Sequence, residues 1–366
     1  MAVETNTVTD PMESFYQDLE GRRLDALWRR VRGEERPSGR PAPYPPCRWR
    51  WTDVRPMMDR AAELVRPGPD AHRRVLQLVN PGVGVGAGTT HTLSAAVQMV
   101  LPGEVAPSHR HTMAALRFIL EGEAAVTIVD GEPCSMSPGD LVLTPGWAFH
   151  GHLNQSHGPM VWMDCLDRPL VHSLRAAASE PYPDELEPAN RSLGDSYSRY
   201  GTGHLRPSWQ RTSSAVSPLL AYPWEQTKRS LHELAGVDAS PYDDVSLDYT
   251  NPATGGPVLP TIGCRIQMLR PGVHTQAHRH SASAVYHVFR GSGSTIVDGV
   301  RLDWEQGDFF ALSPNCWHEH VNGSVSDEAI LFSTNDGPVL DSLYLSYEEP
   351  FAERDGHQEV TGTYAD

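Results

Sequence analysis

PGEVAPSHRHTMAALRFILEG, residues 102–122, decides the fold, because the chain spells it a second time as PGVHTQAHRHSASAVYHVFRG at residues 271–291. Both stretches open on Pro-Gly, carry His-Arg-His and close on Gly. Working outward, Gln98-Met99 recurs as Gln267-Met268 and His109-Arg110-His111 as His278-Arg279-His280, each 169 positions later. Val129-Asp130-Gly131 recurs as Val297-Asp298-Gly299, Gly139-Asp140 as Gly307-Asp308, and His150-x-His152 as His318-x-His320, all 168 positions later. Five landmarks in fixed order and spacing mark a duplicated domain.

Each copy reads as short β runs broken by turn residues. HTLSAAVQMVL, ALRFILEG, AAVTIVDGE and DLVLTP alternate with Pro-Gly, Glu-Gly, Asp-Gly and Pro-Gly-Asp, and the second copy offers GCRIQMLRPG, AVYHVFRG, GSTIVDG and DFFALSP in the same order. That pattern predicts two closed or sandwich-like all-β units. Leu24, Leu27, Trp28 and Val31 fall at i, i+3, i+4, i+7 and predict an amphipathic N-terminal helix. The expected division is a lead-in over 1–90, a first β unit over 91–171, a helical and looped connector over 172–258, a second unit over 259–349, and an irregular tail over 350–366.

With 366 residues the chain has length for two cores. No apolar run reaches the length of a membrane span, and the acidic, polar start lacks the layout of a signal peptide. Five scattered cysteines form no C-x-x-C pair, which argues against a disulfide framework or zinc ribbon and predicts a cytoplasmic protein. A formal net charge of -16 argues against nucleic-acid and anionic-membrane partners.

Histidine carries the chemistry. Residues i and i+2 of a strand share a face, so His109 and His111 project together, as do His150 and His152. If the strand through His111 continues, Met113, Ala115, Arg117 and Ile119 lie on that same face, and Gln98 and Asp164 face the cavity if their strands line it. One buried histidine is more often a hydrogen-bonded core residue than a ligand. Two H-x-H pairs, each followed about 39 residues later by another, point to a divalent transition metal in at least one copy.

Gly103-x5-His109-x-His111 with Gly122, and Gly139-x5-Pro145-x4-His150-x3-Asn154, resemble the two cupin motifs. The glutamate usual after the first H-x-H is absent from TMAAL. A ligand set of three histidines without a carboxylate resembles the gentisate 1,2-dioxygenase family, which includes salicylate and 1-hydroxy-2-naphthoate dioxygenases. FYQDLEGRRLDALW, RWRWTDVRP, RRVLQLVNPG and VWMDCLD extend the likeness nearly end to end. The resemblance implies an all-β bicupin of two jelly-roll (double-stranded β-helix) barrels and a homotetramer. It implies Fe(II) on His109, His111 and His150, and substrate contacts from Gln98, Arg117, His152, Asp164 and Arg73. Ser94 stands where the family often has an aromatic residue and Ala96 where it has glycine, which reshapes one wall of the pocket.

The implied reaction opens a ring between its carboxyl-bearing and hydroxyl-bearing carbons with O2. Three neutral imidazoles leave a divalent ion's charge uncompensated, so a carboxylate with an ortho phenolate completes it and leaves a position for O2. Arg117 either pairs with that carboxylate or closes the barrel as a salt bridge. His152 either takes the hydroxyl proton or orients His150 from outside. Asp164 either accepts from a second ring hydroxyl, as gentisate requires, or is an ordinary strand-end acid. His278, His280 and His318 form a possible second metal set, with Tyr286 where Arg117 stands in the first copy. Gentisate is the expected substrate, with 1-hydroxy-2-naphthoate, salicylate or an aminohydroxybenzoate as alternatives. A non-redox zinc cupin and a non-catalytic binding bicupin are the more distant readings.

Overall fold

The two Val-Asp-Gly repeats close two-residue hairpins. Asp130 and Gly131 have φ of 44° and 77°, Asp298 and Gly299 of 47° and 81°, the paired positive angles that match strand twist at a tight turn. The computed structural model describes residues 10–28, 40–66, 73–84, 88–210 and 214–365, in two units, Met1–Ala42 and Pro43–Asp366. The first unit contains α1 (Pro11–Gly21), capped by Asp10, whose carboxylate accepts from the Met12 amide at 2.9 Å. This helix precedes the expected one: Arg23 at φ 59° ends it, Leu24 lies outside any helix, Leu27 and Trp28 are again helical, and Val31 is outside the described residues.

The second unit begins with β1 (Cys47–Trp49), α2 (Trp51–Leu64) and β2 (Arg74–Gln77). The first repeat follows as β3 (Ser94–Val100), β4 (Val105–His111), β5 (Ala115–Glu121), β6 (Ala125–Val129), β7 (Glu132–Met136), β8 (Leu141–Thr144), β9 (His150–Leu153) and β10 (Met160–Leu166). The connector holds α3 (Arg168–Ser173), β11 (Ser179–Pro181), α4 (Asp195–Tyr200), β12 (Ala221–Tyr222), α5 (Trp224–Ala235) and β13 (Val245–Asp248). The second repeat gives β14 (Gly263–Leu269), β15 (His278–His280), β16 (Ala284–Arg290), β17 (Ser292–Val297), β18 (Val300–Glu305), β19 (Phe309–Leu312), β20 (His318–Val321) and β21 (Ala329–Asn335). The chain ends in α6 (Gly337–Ser342), β22 (Glu348–Pro350) and β23 (Gly362–Thr363).

Each repeat is a two-sheet barrel. The first stacks β12-β8-β5-β10-β3-β2 over β11-β4-β9-β6-β7, the second β1-β19-β16-β21-β14-β13 over β22-β15-β20-β17-β18-β23. The lead-in, connector and tail therefore supply strands to the sheets. β22, at the end of the expected second unit, pairs with β15, and the tail expected to be irregular supplies β23, which pairs with β18.

Strand parity sorts the side chains into two environments. Leu116, Phe118, Val161 and Met163 point outward from the first barrel and meet Phe289, Ile330 and Phe332 of the second in one buried core, where Phe118 and Phe332 stack at 4.0 Å. Ile119, Val129, Val142 and Trp162 fill the first interior. The repeated Gly-Asp turns also fasten the helices. Asp140 accepts from the Trp224 amide and Asp308 from the Trp51 amide, both at 2.8 Å, so each carboxylate holds the first residue of a helix.

Candidate metal centre

His109 and His111 project from β4 and His150 from the facing β9, with His109 and His150 in register. Their ring centroids lie 4.5, 4.9 and 5.3 Å apart, and one nitrogen from each lies within 4.8 Å of the others. Backbone carbonyls set the tautomers. The Nδ1 atoms of His109, His111 and His150 face the carbonyls of Pro107, Met113 and Ala148 at 3.3, 2.8 and 3.1 Å. His111 and His150 can each donate from Nδ1 to their carbonyls, leaving their Nε2 lone pairs to converge, whereas His109 Nδ1 also faces the donating Arg73 guanidinium at 2.8 Å. Burial, with Arg73 next, pushes His109 down to about 3, while burial and Arg117 hold His150 well below the ordinary histidine range. The rings are therefore neutral and ready to ligate. His150 Nε2 is buried with no hydrogen-bond partner, as a donor aimed at an ion is. The residues fit a divalent transition metal.

The strand through His111 does not continue to Arg117. Thr112–Ala114 turn the chain into β5 of the opposite sheet, and Arg117 reaches the interior by that strand's own parity. There it stands in register with Asp164, which in turn faces Ala96 across β3. Arg117 Nε and Asp164 Oδ1 approach to 3.3 Å without a well-aligned hydrogen bond, and an Arg117 Nη donates to Thr144 Oγ1. Burial lowers Arg117 and raises Asp164 from their ordinary values. Gln98, in register with Trp162, faces the same interior with its Nε2 unpartnered. Ser94 lies buried at the end of β3, opposite Leu166.

Arg117 shares the pocket with a second guanidinium. Arg73 enters at the start of β2, placing Nη1 3.1 Å from His152 Nε2 and Nη2 2.8 Å from His109 Nδ1 and 3.2 Å from the Pro107 carbonyl. Burial and the nearby Arg117 lower it to about 9. His152 does not orient His150: its Nδ1 meets Thr127 Oγ1 at 2.9 Å, and its ring packs against Trp162 at 4.9 Å. Burial, then the two arginines, keeps it neutral, well below the ordinary histidine range. Thr127 and Thr144 are partners that sequence reading missed. The recurrence of Thr127 as Thr295, two residues before each Val-Asp-Gly, was the available signal. The charged groups leave the pocket positive: two guanidiniums less one carboxylate give +1 before any metal.

No described helix is long and apolar enough to cross a membrane. Residues 96–166 and 265–334 each match the cupin domain model. The chain is 38% identical over 358 residues to a 5-aminosalicylate 1,2-dioxygenase of Comamonas sp, covering 96% of this chain and 94% of that one. It is 40% identical over 328 residues to a 1-hydroxy-2-naphthoate 1,2-dioxygenase of Nocardioides sp. (strain KP7), covering 88% and 82%. The crystal structure of salicylate 1,2-dioxygenase from Pseudoaminobacter salicylatoxidans with gentisate superposes with a TM-score of 0.85 at 32% identity, over 95% of this chain and 96% of that one.

Proposed function

The chain belongs to the bicupin family of gentisate- and salicylate-type ring-cleaving 1,2-dioxygenases, and on that footing we propose that its own reaction is the Fe(II)-dependent opening of gentisate between the carboxyl- and hydroxyl-bearing carbons. The observation that carries this reading is the pairing of an all-imidazole triad with a buried and a half-buried arginine and one buried carboxylate. Iron(II) on His109, His111 and His150 would supply a redox-active ion able to bind both O2 and a chelating ring acid.

The protein's own residues do the rest. Arg73 and Arg117 receive the carboxylate, Arg117 by a planar fork that Lys could not reproduce. In the unliganded chain Arg73 caps His152 Nε2 and crowds His109 Nδ1. When Nδ1 of His109 bears the proton that frees its Nε2 for metal, the Arg73 contact becomes repulsive. Arg73 then exchanges it for the substrate carboxylate. That leaves His152 Nε2 as an open acceptor for the phenolic proton, held in place through Thr127. Gln98 Nε2 donates to substrate oxygen. Asp164 accepts from the 5-substituent while keeping Arg117 aimed inward. Trp162 and Ile119 wall off water around the ring.

5-Aminosalicylate is the second reading, favoured by the extent of the Comamonas similarity and by an Asp164 that takes an amino donor as readily as a hydroxyl. A homotetramer in the cytoplasm completes the proposal; light scattering measures the assembly. The deciding experiment loads the protein anaerobically with Fe(II) and measures O2 uptake on gentisate, 5-aminosalicylate, salicylate and 1-hydroxy-2-naphthoate. Gentisate is expected to give the highest kcat/KM, and His111→Ala none above background. Turnover without O2 consumption would overturn the assignment.

A further inference from the structure

Among the described residues, a second group of three histidines that could ligate a metal lies in the second barrel. His278 and His280 leave β15 and His318 leaves β20, their ring centroids 4.4, 4.9 and 5.6 Å apart and one nitrogen of each within 4.8 Å of the others. His280 Nδ1 faces the Ala282 carbonyl at 2.9 Å and His318 Nδ1 the Cys316 carbonyl at 3.2 Å. His278 Nδ1 lies 3.3 Å from Glu348 Oε1, delivered by β22. His280 and His318 thus have backbone acceptors for Nδ1, while His278 Nδ1 keeps the Glu348 ion-pair contact without a well-aligned hydrogen bond.

Two of those Nε2 atoms, on His278 and His318, face each other at 2.8 Å. Both residues are nearly sealed from water, at 3% and 2% exposure. With the proton on His278 Nε2 the pair is a neutral hydrogen bond; with it on His278 Nδ1, beside the Glu348 carboxylate, both Nε2 lone pairs are free for a divalent ion. With metal–nitrogen bonds of about 2.1 Å, the 2.8 Å separation subtends about 84°, close to the angle between neighbouring octahedral ligands.

What surrounds this cluster differs in sign from the first. A cavity of about 620 Å³ beside it is lined by Asp243, Asp248, Asp341 and Glu348 against the single guanidinium of Arg265. Four negative charges and one positive give -3. Arg265 is itself occupied, 2.8 Å from Asp248 and 3.7 Å from Asp243. Tyr286 lines the wall where Arg117 stands in the first copy. Such a cavity attracts a cation and repels a ring carboxylate.

We propose that the second barrel holds its own divalent first-row transition-metal ion on His278, His280 and His318, with Glu348 orienting His278 and fastening β22, and that this ion does not receive the anionic ring acid. The assignment stands whether or not the first barrel opens rings. The test reconstitutes the full-length protein anaerobically with Co(II), desalts it, and counts metal per chain with circular dichroism as the folding control. Wild type is expected to hold two ions, and His280→Ala, His318→Gln and His111→Ala one each. Salicylate serves as the anionic probe: it shifts the Co(II) absorption of His280→Ala, where the first site remains, and leaves that of His111→Ala unchanged. One ion in wild type that is kept in folded His280→Ala and His318→Gln, or any unaltered content in those two variants, overturns the site. A salicylate shift in His111→Ala overturns the exclusion of anions. An empty His280→Ala beside a loaded His111→Ala would instead count against the first-barrel reading alone.

Discussion

Replacing Asp164 by alanine separates two duties that the proposed reaction gives to one carboxylate. Its Oδ1 lies 3.3 Å from Arg117 Nε, and the two residues are 6% and 2% exposed. Without it the guanidinium keeps only Thr144 as a side-chain partner, and breaking such a buried pair costs about 3–5 kcal/mol. That penalty resides in the protein, so it falls alike on every substrate. The second duty is selective: accepting a hydrogen bond from the group para to the ring hydroxyl. A hydrogen bond to a charged partner contributes about 1.5–3 kcal/mol, or roughly 12- to 150-fold in a rate ratio.

Salicylate has no donor at that position, so the common penalty cancels when the two acids are compared. In Asp164→Ala the kcat/KM ratio of gentisate to salicylate is expected to fall by about 10- to 100-fold. Asp164→Asn, which keeps a neutral acceptor, should fall between. Initial rates of O2 uptake on Fe(II)-loaded enzyme give the ratio, and urea unfolding gives the common penalty. If the ratio stays within about twofold of wild type while both rates drop together, Asp164 serves Arg117 alone and the hydroxyl argument is wrong.

Thr127→Val removes the 2.9 Å partner of His152 Nδ1; kcat should fall by about 2- to 12-fold with little change in metal content, read by single-turnover kinetics and metal analysis. Arg74→Met breaks the bidentate pair with Glu104, both contacts 2.9 Å, and is expected to cost about 3 kcal/mol in urea unfolding at neutral pH. Those hydrogen bonds hold Glu104 below its ordinary 4.5. The stabilisation is therefore full above that value and lost as pH falls through the depressed one, so the mutant's unfolding midpoint should decline less steeply than wild type on the acid side. Ala96→Val fills the wall beside Asp164 and should lower kcat/KM for 1-hydroxy-2-naphthoate more than for gentisate, measured by O2 uptake on both. Tyr286→Arg changes the charge beside the second triad only from -3 to -2, so salicylate should still leave the Co(II) absorption unchanged in a His111→Ala, Tyr286→Arg double variant.

Much of the first site was legible because a strand has period two and the chain repeats itself. His109, His111 and His150 meet, and Gln98 and Asp164 face inward, as parity requires. Arg117 reached the right place by the wrong route, since Thr112–Ala114 reset the parity before β5 restored it. Arg73 could not be placed from the residues, because a guanidinium arriving from a neighbouring strand has no local pattern. The two- and three-residue strands β11, β12, β22 and β23 were illegible for a related reason: runs so short carry no periodicity and exist only by pairing with distant edges. The first helix was missed for a different reason. Asp10-Pro11 is a cap followed by a proline at the first helical position, but the Leu24–Val31 spacing drew the assignment downstream.

Duplication preserved the imidazoles, so the triads cannot explain a division of labour between the barrels. Both gather three imidazoles, and both hold a fourth histidine through threonine, His152 by Thr127 and His320 by Thr295, each at 2.9 Å. The field around the triads does differ. Near the first, Arg73 and Arg117 outweigh Asp164, and Arg73 lies 3.1 Å from His152 Nε2. In the second, His320 Nε2 has no partner, and carboxylates outnumber the one arginine of the adjoining cavity. The same ion would therefore meet an anion-attracting wall in one barrel and an anion-repelling wall in the other. On the proposed function, a ring acid brings negative charge to an all-imidazole ion, so the sign of that wall, rather than the ability to hold metal, would confine ring opening to the first barrel.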